Sequence, residues 1–285
     1  MSQYVEFESS HSQEESNIMS EYLDVAVLAA KEAGSVLRDK LGKVAVREKH
    51  PADLVTEADE QAQRTIAAIL QDRYPEHAFI GEETTSPNQL REGQCGSGAP
   101  DDLPLTWIVD PLDGTTNFVH QFPFFAVSIG LARGNELLCG VIYNPMLEEC
   151  YTAARGEGSF LNGQRIHVSD ICDPGKALIT FSFAPGISLD SKEFAGFVKL
   201  VPHNQAMRRT GSTALNLACL AAGRFDAVYC SSAHPWDVAA GVAIIQEAGG
   251  VVFSSDGQPF DLARPGTLAA ATDELAEKLS AALQS

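Results

Sequence analysis

The stretch Trp107–Thr116, WIVDPLDGTT, carries the strongest structural and functional signal in this chain of 285 residues. Its leading apolar residues predict a buried strand, and Asp110 stands at the end of that strand. Pro111 then fixes φ and turns the chain, while Gly114 permits a tight or left-handed backbone. Three successive backbone amides are thereby free to face an anion, those of Gly114, Thr115 and Thr116.

Asp113 follows Asp110 closely enough for both carboxylates to face one point. Carboxylates beside a group of free amides suit a metal ion together with a phosphate group. The structural alternative is an ordinary Asx turn that joins two elements and carries no chemistry.

Further acidic residues stand where other predicted elements begin or end. Glu82 and Glu83 leave a short apolar strand, where adjacent carboxylates are costly without a cation. Asp237 begins one helix, and Asp59 begins another that Thr56 caps. Each has a structural alternative: a solvated loop start for the glutamates, a helix-dipole contact for Asp237, and a capping box for Asp59.

A turn of small residues, Gly211-Ser212-Thr213, precedes a predicted alanine-rich helix. Its free amides suit an anion or a polyol hydroxyl, and a simple helix N-cap is the alternative. Together these positions offer oxygen ligands and no histidine or cysteine cluster, which favours Mg²⁺ or Mn²⁺ over Zn²⁺. Several carboxylates around one pocket suit two or more ions and phosphoryl hydrolysis.

Strands and helices interleave along the whole chain, which predicts a mixed α/β or α+β fold. We expect a disordered acidic tail over residues 1–20, an N-terminal part over 21–170 with most metal ligands, and a C-terminal part over 171–285 with Asp237 and substrate contacts. Residues 84–104 are rich in Gly, Pro, Ser and Asp, and predict a mobile surface loop.

Charge and composition limit the partners. The chain carries 20 Lys and Arg against 38 Asp and Glu, a net charge of −18, which disfavours nucleic-acid binding. A phosphorylated substrate then needs local cations. There is no transmembrane segment or signal-peptide pattern, and the six cysteines are scattered, so we expect a cytoplasmic protein with reduced thiols and no membrane partner.

At these residues the chain resembles the inositol monophosphatase family of Mg²⁺-dependent, lithium-sensitive phosphatases. The resemblance runs from about Glu21 to the end of the chain. It rests on DLVTEAD, GEE, WIVDPLDGTTNFVHQFPFFAVSIGL and HPWDVAAGVAIIQEAGG, in that order. It implies a layered α/β/α/β/α sandwich, a homodimer, and hydrolysis of a small alcohol phosphate, by default inositol monophosphate.

The resemblance also implies a role for each residue. Glu82 and Asp110, with the carbonyl of Leu112, would hold one Mg²⁺, and Asp110, Asp113 and Asp237 would hold a second. A third, weaker ion would bind near Glu82 through water.

Water and substrate have their own implied partners. Thr115, hydrogen-bonded to Asp59, would orient and activate the attacking water, with Glu83 as a supporting carboxylate. The predicted phosphate or substrate contacts lie in the loops described above and at the end of a later strand: Gly114, Thr115, Thr116, Gly211, Ser212, Thr213 and Cys230.

One departure from the family pattern concerns the substrate. Inositol-hydrolysing relatives usually carry a glutamate seven residues before the motif aspartate, where this chain has Cys230. A thiol is a poor partner for hydroxyls. Histidinol phosphate, fructose 1,6-bisphosphate and adenosine 3′,5′-bisphosphate are therefore alternative substrates. A non-catalytic protein-interaction member of the fold is the alternative from another class.

Overall fold

The computed structural model describes residues 2–50, 53–84, 103–183 and 187–284. Within these ranges, the side chains of residues 2–17, 48–50 and 53–54 lie outside the description. The predicted loop at residues 84–104 lies outside it too, apart from its two ends. The helices of the described part are α1 (Ser2–Lys40), α2 (Glu57–Arg73), α3 (Thr115–Val119), α4 (Lys192–Leu200), α5 (Thr213–Ala221), α6 (Pro235–Glu247) and α7 (Asp273–Gln284).

The strands fall into three sheets. In chain order they are β1 (Val46–His50), β2 (Asp53–Thr56), β3 (Ala78–Gly81), β4 (Leu105–Asp113), β5 (Ala126–Arg133), β6 (Glu136–Asn144), β7 (Glu149–Ala154), β8 (Gly158–Leu161), β9 (Gln164–Ile166), β10 (Leu178–Ser182), β11 (Ala206–Arg208), β12 (Ala227–Cys230), β13 (Val251–Ser254) and β14 (Thr267–Ala270). Strands β1 and β2 form a hairpin, β3 to β9 form a sheet in sequence order, and the third sheet has the order β11-β10-β12-β14-β13.

The large sheet is antiparallel except for the parallel pair β3–β4. In the smaller sheet, β10 lies parallel to both β11 and β12, whereas β14 lies antiparallel to β12 and β13. The predicted hairpin at Arg133–Asn135 is confirmed, because Arg133 pairs with Glu136 across the turn between β5 and β6.

Buried side chains arrange these elements in five layers. Helices α1 and α2 cover one face of the large sheet, where Trp107 and Val109 of β4 point. Helices α5 and α6 cover the opposite face, where Ile108 points, and the smaller sheet closes over them with Val228. Helices α4 and α7 cover the outer face of the smaller sheet, around Phe181. This is the predicted α/β/α/β/α sandwich.

Helix α1 begins at Ser2 and so runs through the segment that the sequence analysis assigns to an acidic tail. Residues 1–20 contain no Gly or Pro, so no residue there breaks a helix that continues into the buried part of α1. The expected boundary near Asp170 falls between β9 and β10, but α5 and α6 pack between the two larger sheets; the division into three parts stays a prediction.

No helix in the described ranges is both long and apolar enough to cross a membrane.

Candidate metal and phosphate site

The DPLD segment continues β4 instead of ending it. Asp110 pairs with Ser128 and Asp113 with Ala126, so β4 contains one more residue than β5 between these two pairs. This is a β-bulge, which tolerates Pro111 because the ladder is interrupted there. The amide of Leu112 donates to Asp110 Oδ1 at 3.0 Å. The expected Asx turn is therefore present inside a bulged strand that delivers both carboxylates.

Gly114 links this strand to α3. Its φ is 98°, and a Cβ there would lie 3.2 Å from the carbonyl oxygens of Gly211 and Phe124. Only glycine fits such a left-handed position between two carbonyls. The first amides of α3, including those of Thr115 and Thr116, have no acceptor within their own helix. The local chain is thus built as the sequence predicts for an anion site.

The two carboxylate oxygens of Asp59 have different partners, Thr56 at the start of α2 and Thr115 at the start of α3. Its Oδ2 accepts hydrogen bonds from the amide and hydroxyl of Thr56 at 2.9 and 2.7 Å, so the capping box is real. Its Oδ1 lies 3.1 Å from Thr115 Oγ1, which is equally close to the carbonyl oxygen of Leu112. Asp59 is 1% exposed, and burial raises its pKa to about 6.

Gln63 is a functional neighbour that sequence reasoning missed. Its Oε1 accepts the amide of Glu83 at 2.9 Å, and its Nε2 donates to Thr84 Oγ1 at 3.1 Å. The amide of Glu82 donates to the carbonyl of Val109 at 3.1 Å, which ties this corner to β4. Gln63 lies four residues after Asp59 on α2, so helical spacing was the available signal.

The N-terminus of α5 binds the Asp113 carboxylate. Ser212 Oγ donates to Asp113 Oδ2, and the amide of Ala214 donates to the same oxygen at 2.7 Å. The amide of Thr213 donates to Oδ1 at 3.2 Å. The predicted N-cap role of Ser212 holds as well, because its Oγ accepts the amide of Leu215 at 3.2 Å.

Asp237 stands in the first turn of α6 and accepts the amide of His234 at 2.7 Å. Burial comes first in raising its pKa well above the ordinary range, and the carboxylates of Asp113 and Glu82 add to it. The contact at the helix start is therefore present, and the role of Asp237 as a metal ligand stays a prediction.

The carboxylates influence one another strongly. Burial, then Glu82, Asp113 and Asp237, raise the pKa of Asp110 well above its ordinary value. Burial raises the pKa of Asp113 to about 6 against the opposing hydrogen bonds from α5. The charge of Glu82 raises the pKa of four aspartates, Asp59, Asp110, Asp113 and Asp237, so Glu82 lies close enough to interact electrostatically with each. Buried carboxylates that repel one another fit a site for hard cations.

Within the described ranges, no three acidic, histidine or cysteine side chains already stand in a metal-ligating arrangement. Asp113 explains part of this, because both of its oxygens point at donors of α5. We expect cation binding to turn the other carboxylates toward a common point, while Asp113 Oδ2 keeps its hydrogen bonds to the start of α5. Their oxygen-only chemistry fits that of Mg²⁺ ligands.

Asn117 is a second residue that sequence reasoning missed. Its Nδ2 donates to the carbonyl of Phe124 at 2.6 Å and to that of Thr210 at 2.9 Å. It thereby holds the Gly114 turn against the Gly211 turn, although 93 residues separate Asn117 from Thr210. A single asparagine in a motif gives no sign of such a distant partner.

The remaining predicted contacts differ in accessibility. Thr116 is exposed at the start of α3, and Thr213 is partly exposed at the start of α5. Cys230 is 2% exposed at the end of β12. Burial raises the pKa of its thiol, followed by the charge of Asp237, with a hydrogen bond to Thr213 opposing. The predicted contact of Cys230 with a substrate stays a prediction.

A model of the inositol monophosphatase family matches residues 18–285. The chain belongs to the inositol monophosphatase family. Among its relatives, inositol monophosphatase 3 of Solanum lycopersicum is 45% identical over 85% of this chain and 89% of its own length. Inositol monophosphatase 2 of Rattus norvegicus is 42% identical over 93% of this chain and 90% of its own.

Solved structures of the family share the fold. The extragenic suppressor protein suhB of Bartonella henselae is 35% identical, with a TM-score of 0.82 over 92% of this chain and 98% of that one. The inositol monophosphatase of Anabaena (Nostoc) is 35% identical, with a TM-score of 0.79 over 93% and 96%. The family, the fold class and the enzyme class of phosphoric monoester hydrolase are confirmed, while the individual residue roles stay predictions.

Proposed function

We propose that this protein is a Mg²⁺-dependent phosphomonoesterase whose substrate is inositol monophosphate. One observation carries the proposal: the buried carboxylates of Asp110 and Asp113 in β4 interact electrostatically with Asp237 of α6 and with Glu82 after β3, beside the left-handed turn at Gly114. The names of the relatives, inositol monophosphatases at 42–45% identity, support the substrate.

The carboxylates would serve as ligands of the metal ions. Glu82, Asp110 and the Leu112 carbonyl would hold one Mg²⁺, and Asp110, Asp113 and Asp237 a second, with a weaker third ion near Glu82. Bound Mg²⁺, or Mn²⁺ in its place, would supply activation of water and neutralisation of charge on phosphate. The acidic surface makes this neutralisation a condition for binding the substrate.

Thr115 and Asp59 would handle the proton. A hydroxyl carries one hydrogen, so Thr115 Oγ1 can donate to Asp59 Oδ1 while its lone pairs accept from water. As water attacks phosphorus and the P–O bond to the alcohol breaks, the proton of the attacking water would pass to Thr115 Oγ1 and the threonine proton to Asp59 Oδ1. The departing alkoxide would take a proton from a solvent water and leave as the free alcohol. The raised pKa of Asp59, about 6, makes it a suitable acceptor near neutral pH. Glu83 would support this pair.

Phosphate would lie over the turn that begins α3. The amides of Gly114 and Thr115 would donate to its oxygens, with Thr116 at the edge of the same turn. The hydroxyl-bearing part of the substrate would face Gly211 and Thr213. Lithium sensitivity, a homodimer and a cytoplasmic location complete the proposal, on the ground of the family pattern.

A second substrate class is favoured by one observation, the buried Cys230. A thiol in that place offers little to an inositol hydroxyl. Histidinol phosphate, fructose 1,6-bisphosphate and adenosine 3′,5′-bisphosphate therefore belong in the test.

The test measures phosphate release from inositol monophosphates and from these alternatives, in Mg²⁺, in chelator and with lithium added. We expect turnover of inositol monophosphate that needs Mg²⁺. Asp110→Asn should lower it at least about a hundredfold, since metal charge stabilisation is worth several kcal/mol. Asp190→Asn, at an exposed aspartate, is the matched control. Faster turnover of another ester would replace the substrate, and no hydrolysis of any ester would favour the interaction protein.

A further inference from the structure

Ser212 stands between the two halves of the candidate site. It is 1% exposed and caps α5, where its Oγ accepts the amide of Leu215. The same oxygen donates to Asp113 Oδ2, 99 residues earlier in the chain. An ionised carboxylate has no hydrogen to give, so the serine hydroxyl must be the donor. Its single proton is thereby committed to Asp113.

The donors of α5 use the two oxygens of Asp113 unequally. Oδ2 accepts the Ser212 hydroxyl and the Ala214 amide at 2.7 Å, which fills its two lone pairs. Oδ1 accepts only the Thr213 amide, at 3.2 Å. One lone pair of Oδ1 therefore stays open among the hydrogen bonds that the structure gives this side chain.

We propose that Ser212 is a positioning residue that anchors Asp113 Oδ2 to the start of α5, so that Oδ1 is the oxygen left for a divalent cation. The inference rests on the proposed function, because it assigns Asp113 to a metal. It moves Ser212 from the predicted substrate contacts to the support of a ligand. The side chain is buried and directed at Asp113, and direct contact with a substrate is not needed to explain it.

The anchor also relates Asp113 to Asp237. Helix α5 packs closely on α6, since a Cβ on Gly241 would lie 2.5 Å from Leu217 Cβ. Asp237 begins α6, and the start of α5 holds Asp113. One pair of packed helices thus fixes both aspartates, although Asp113 itself belongs to β4.

The experiment measures binding of Mg²⁺ alone by calorimetry, with the full-length protein, and compares substitutions at two N-caps. Ser212→Ala and Ser212→Gly remove the hydroxyl, and glycine keeps an acceptable N-cap. Ser212→Thr keeps the hydroxyl. Ser191→Ala is the matched control, because Ser191 caps α4 with the same 3.2 Å contact to a backbone amide, that of Phe194.

We expect Ser212→Ala and Ser212→Gly to weaken Mg²⁺ binding about tenfold or more, as loss of a ligand's supporting hydrogen bond does. Ser212→Thr should keep the Mg²⁺ affinity near that of the parent, and Ser191→Ala should leave it unchanged. With saturating Mg²⁺, the KM for the phosphate ester should stay near that of the parent, because Ser212 acts through Asp113.

Two results would overturn the assignment. Unchanged Mg²⁺ affinity in folded Ser212→Ala or Ser212→Gly would show that the anchor has no part in metal binding. A raised KM with unchanged Mg²⁺ affinity would make Ser212 a substrate contact. Either leaves the proposed function standing, whereas a parent protein that binds no Mg²⁺ overturns both.

Discussion

Lowering the pH from 7 to 5 should stabilise this protein when divalent ions are removed. Asp59 and Asp113 are 1% and 8% exposed, and burial raises the pKa of each to about 6. The folded state therefore holds these protons more tightly than the unfolded state. Stability from such groups is fully present below the unfolded pKa and is lost as the pH rises through about 6.

The magnitude follows from the same values. A shift from 3.8 to about 6 corresponds to about 3 kcal/mol for one carboxyl over its whole titration, at 1.36 kcal/mol per unit. Between pH 7 and 5 the change is about 1.3 kcal/mol for each carboxyl, so about 2.6 kcal/mol for Asp59 and Asp113 together. Asp110 and Asp237 act in the same direction. The buried His77 opposes them, because burial lowers its pKa, but it is a single group against four.

Saturating Mg²⁺ should reverse the trend. The ion binds ionised carboxylates, so it stabilises the fold most at neutral pH and less as protons compete for the same oxygens. The folded protein thus exchanges protons for cations at one cluster. Stability in Mg²⁺ should fall from pH 7 to 5, while stability in chelator should rise.

Urea unfolding followed by tryptophan fluorescence, at constant ionic strength, measures both trends. Asp113→Asn should reduce the pH dependence in chelator by about 1 kcal/mol, whereas Asp190→Asn should leave it unchanged. Equal and steady loss of stability toward pH 5 with and without Mg²⁺ would refute the reasoning, since the cluster would then hold neither protons nor cations preferentially.

Three substitutions test separate parts of the site. Gly114→Ala places a Cβ 3.2 Å from two carbonyl oxygens at a φ of 98°, and should cost about 1–3 kcal/mol in urea unfolding; an unchanged midpoint would contradict the strained turn. Thr115→Val removes the hydroxyl that faces Asp59, and should slow phosphate release about 10²–10⁴-fold while Thr115→Ser preserves it; equal loss in both would point to packing instead. Gln63→Ala leaves the Glu83 amide without its acceptor, and should cost about 1–3 kcal/mol and weaken Mg²⁺ binding measured by calorimetry; unchanged affinity would limit Gln63 to stability.

Local chemistry was the part of the site that the sequence could predict. The carboxylates leave apolar strands or begin helices, and such positions depend on neighbours a few residues away. The capping box of Asp59 and the left-handed turn at Gly114 follow from residue types alone, and both are present. The capping box of Asp59, the Asx turn of Asp110 and the helix-start contact of Asp237 are present as well. They do not exclude a chemical role, because a cap and a chemical group can use different oxygens of one carboxylate.

Contacts between segments far apart in the chain could not be predicted from the sequence. Ser212 meets Asp113 and Asn117 meets Thr210 across 99 and 93 residues, and no periodicity in one chain pairs such positions. A proline and a glycine as close together as Pro111 and Gly114 predict a turn, but pairing with β5 keeps the segment in the sheet as a bulge. Layer order came from the family resemblance, since strand and helix patterns do not show which faces meet.

The most direct measurement of the central claim is anomalous scattering from crystals of the protein grown with Mn²⁺, which takes oxygen ligands as Mg²⁺ does. We expect at least two anomalous peaks. One should lie within coordination distance of Glu82, Asp110 and the Leu112 carbonyl, and the other within coordination distance of Asp110, Asp237 and Oδ1 of Asp113. A map with no peak among these carboxylates, at Mn²⁺ concentrations that support phosphate release, would contradict it.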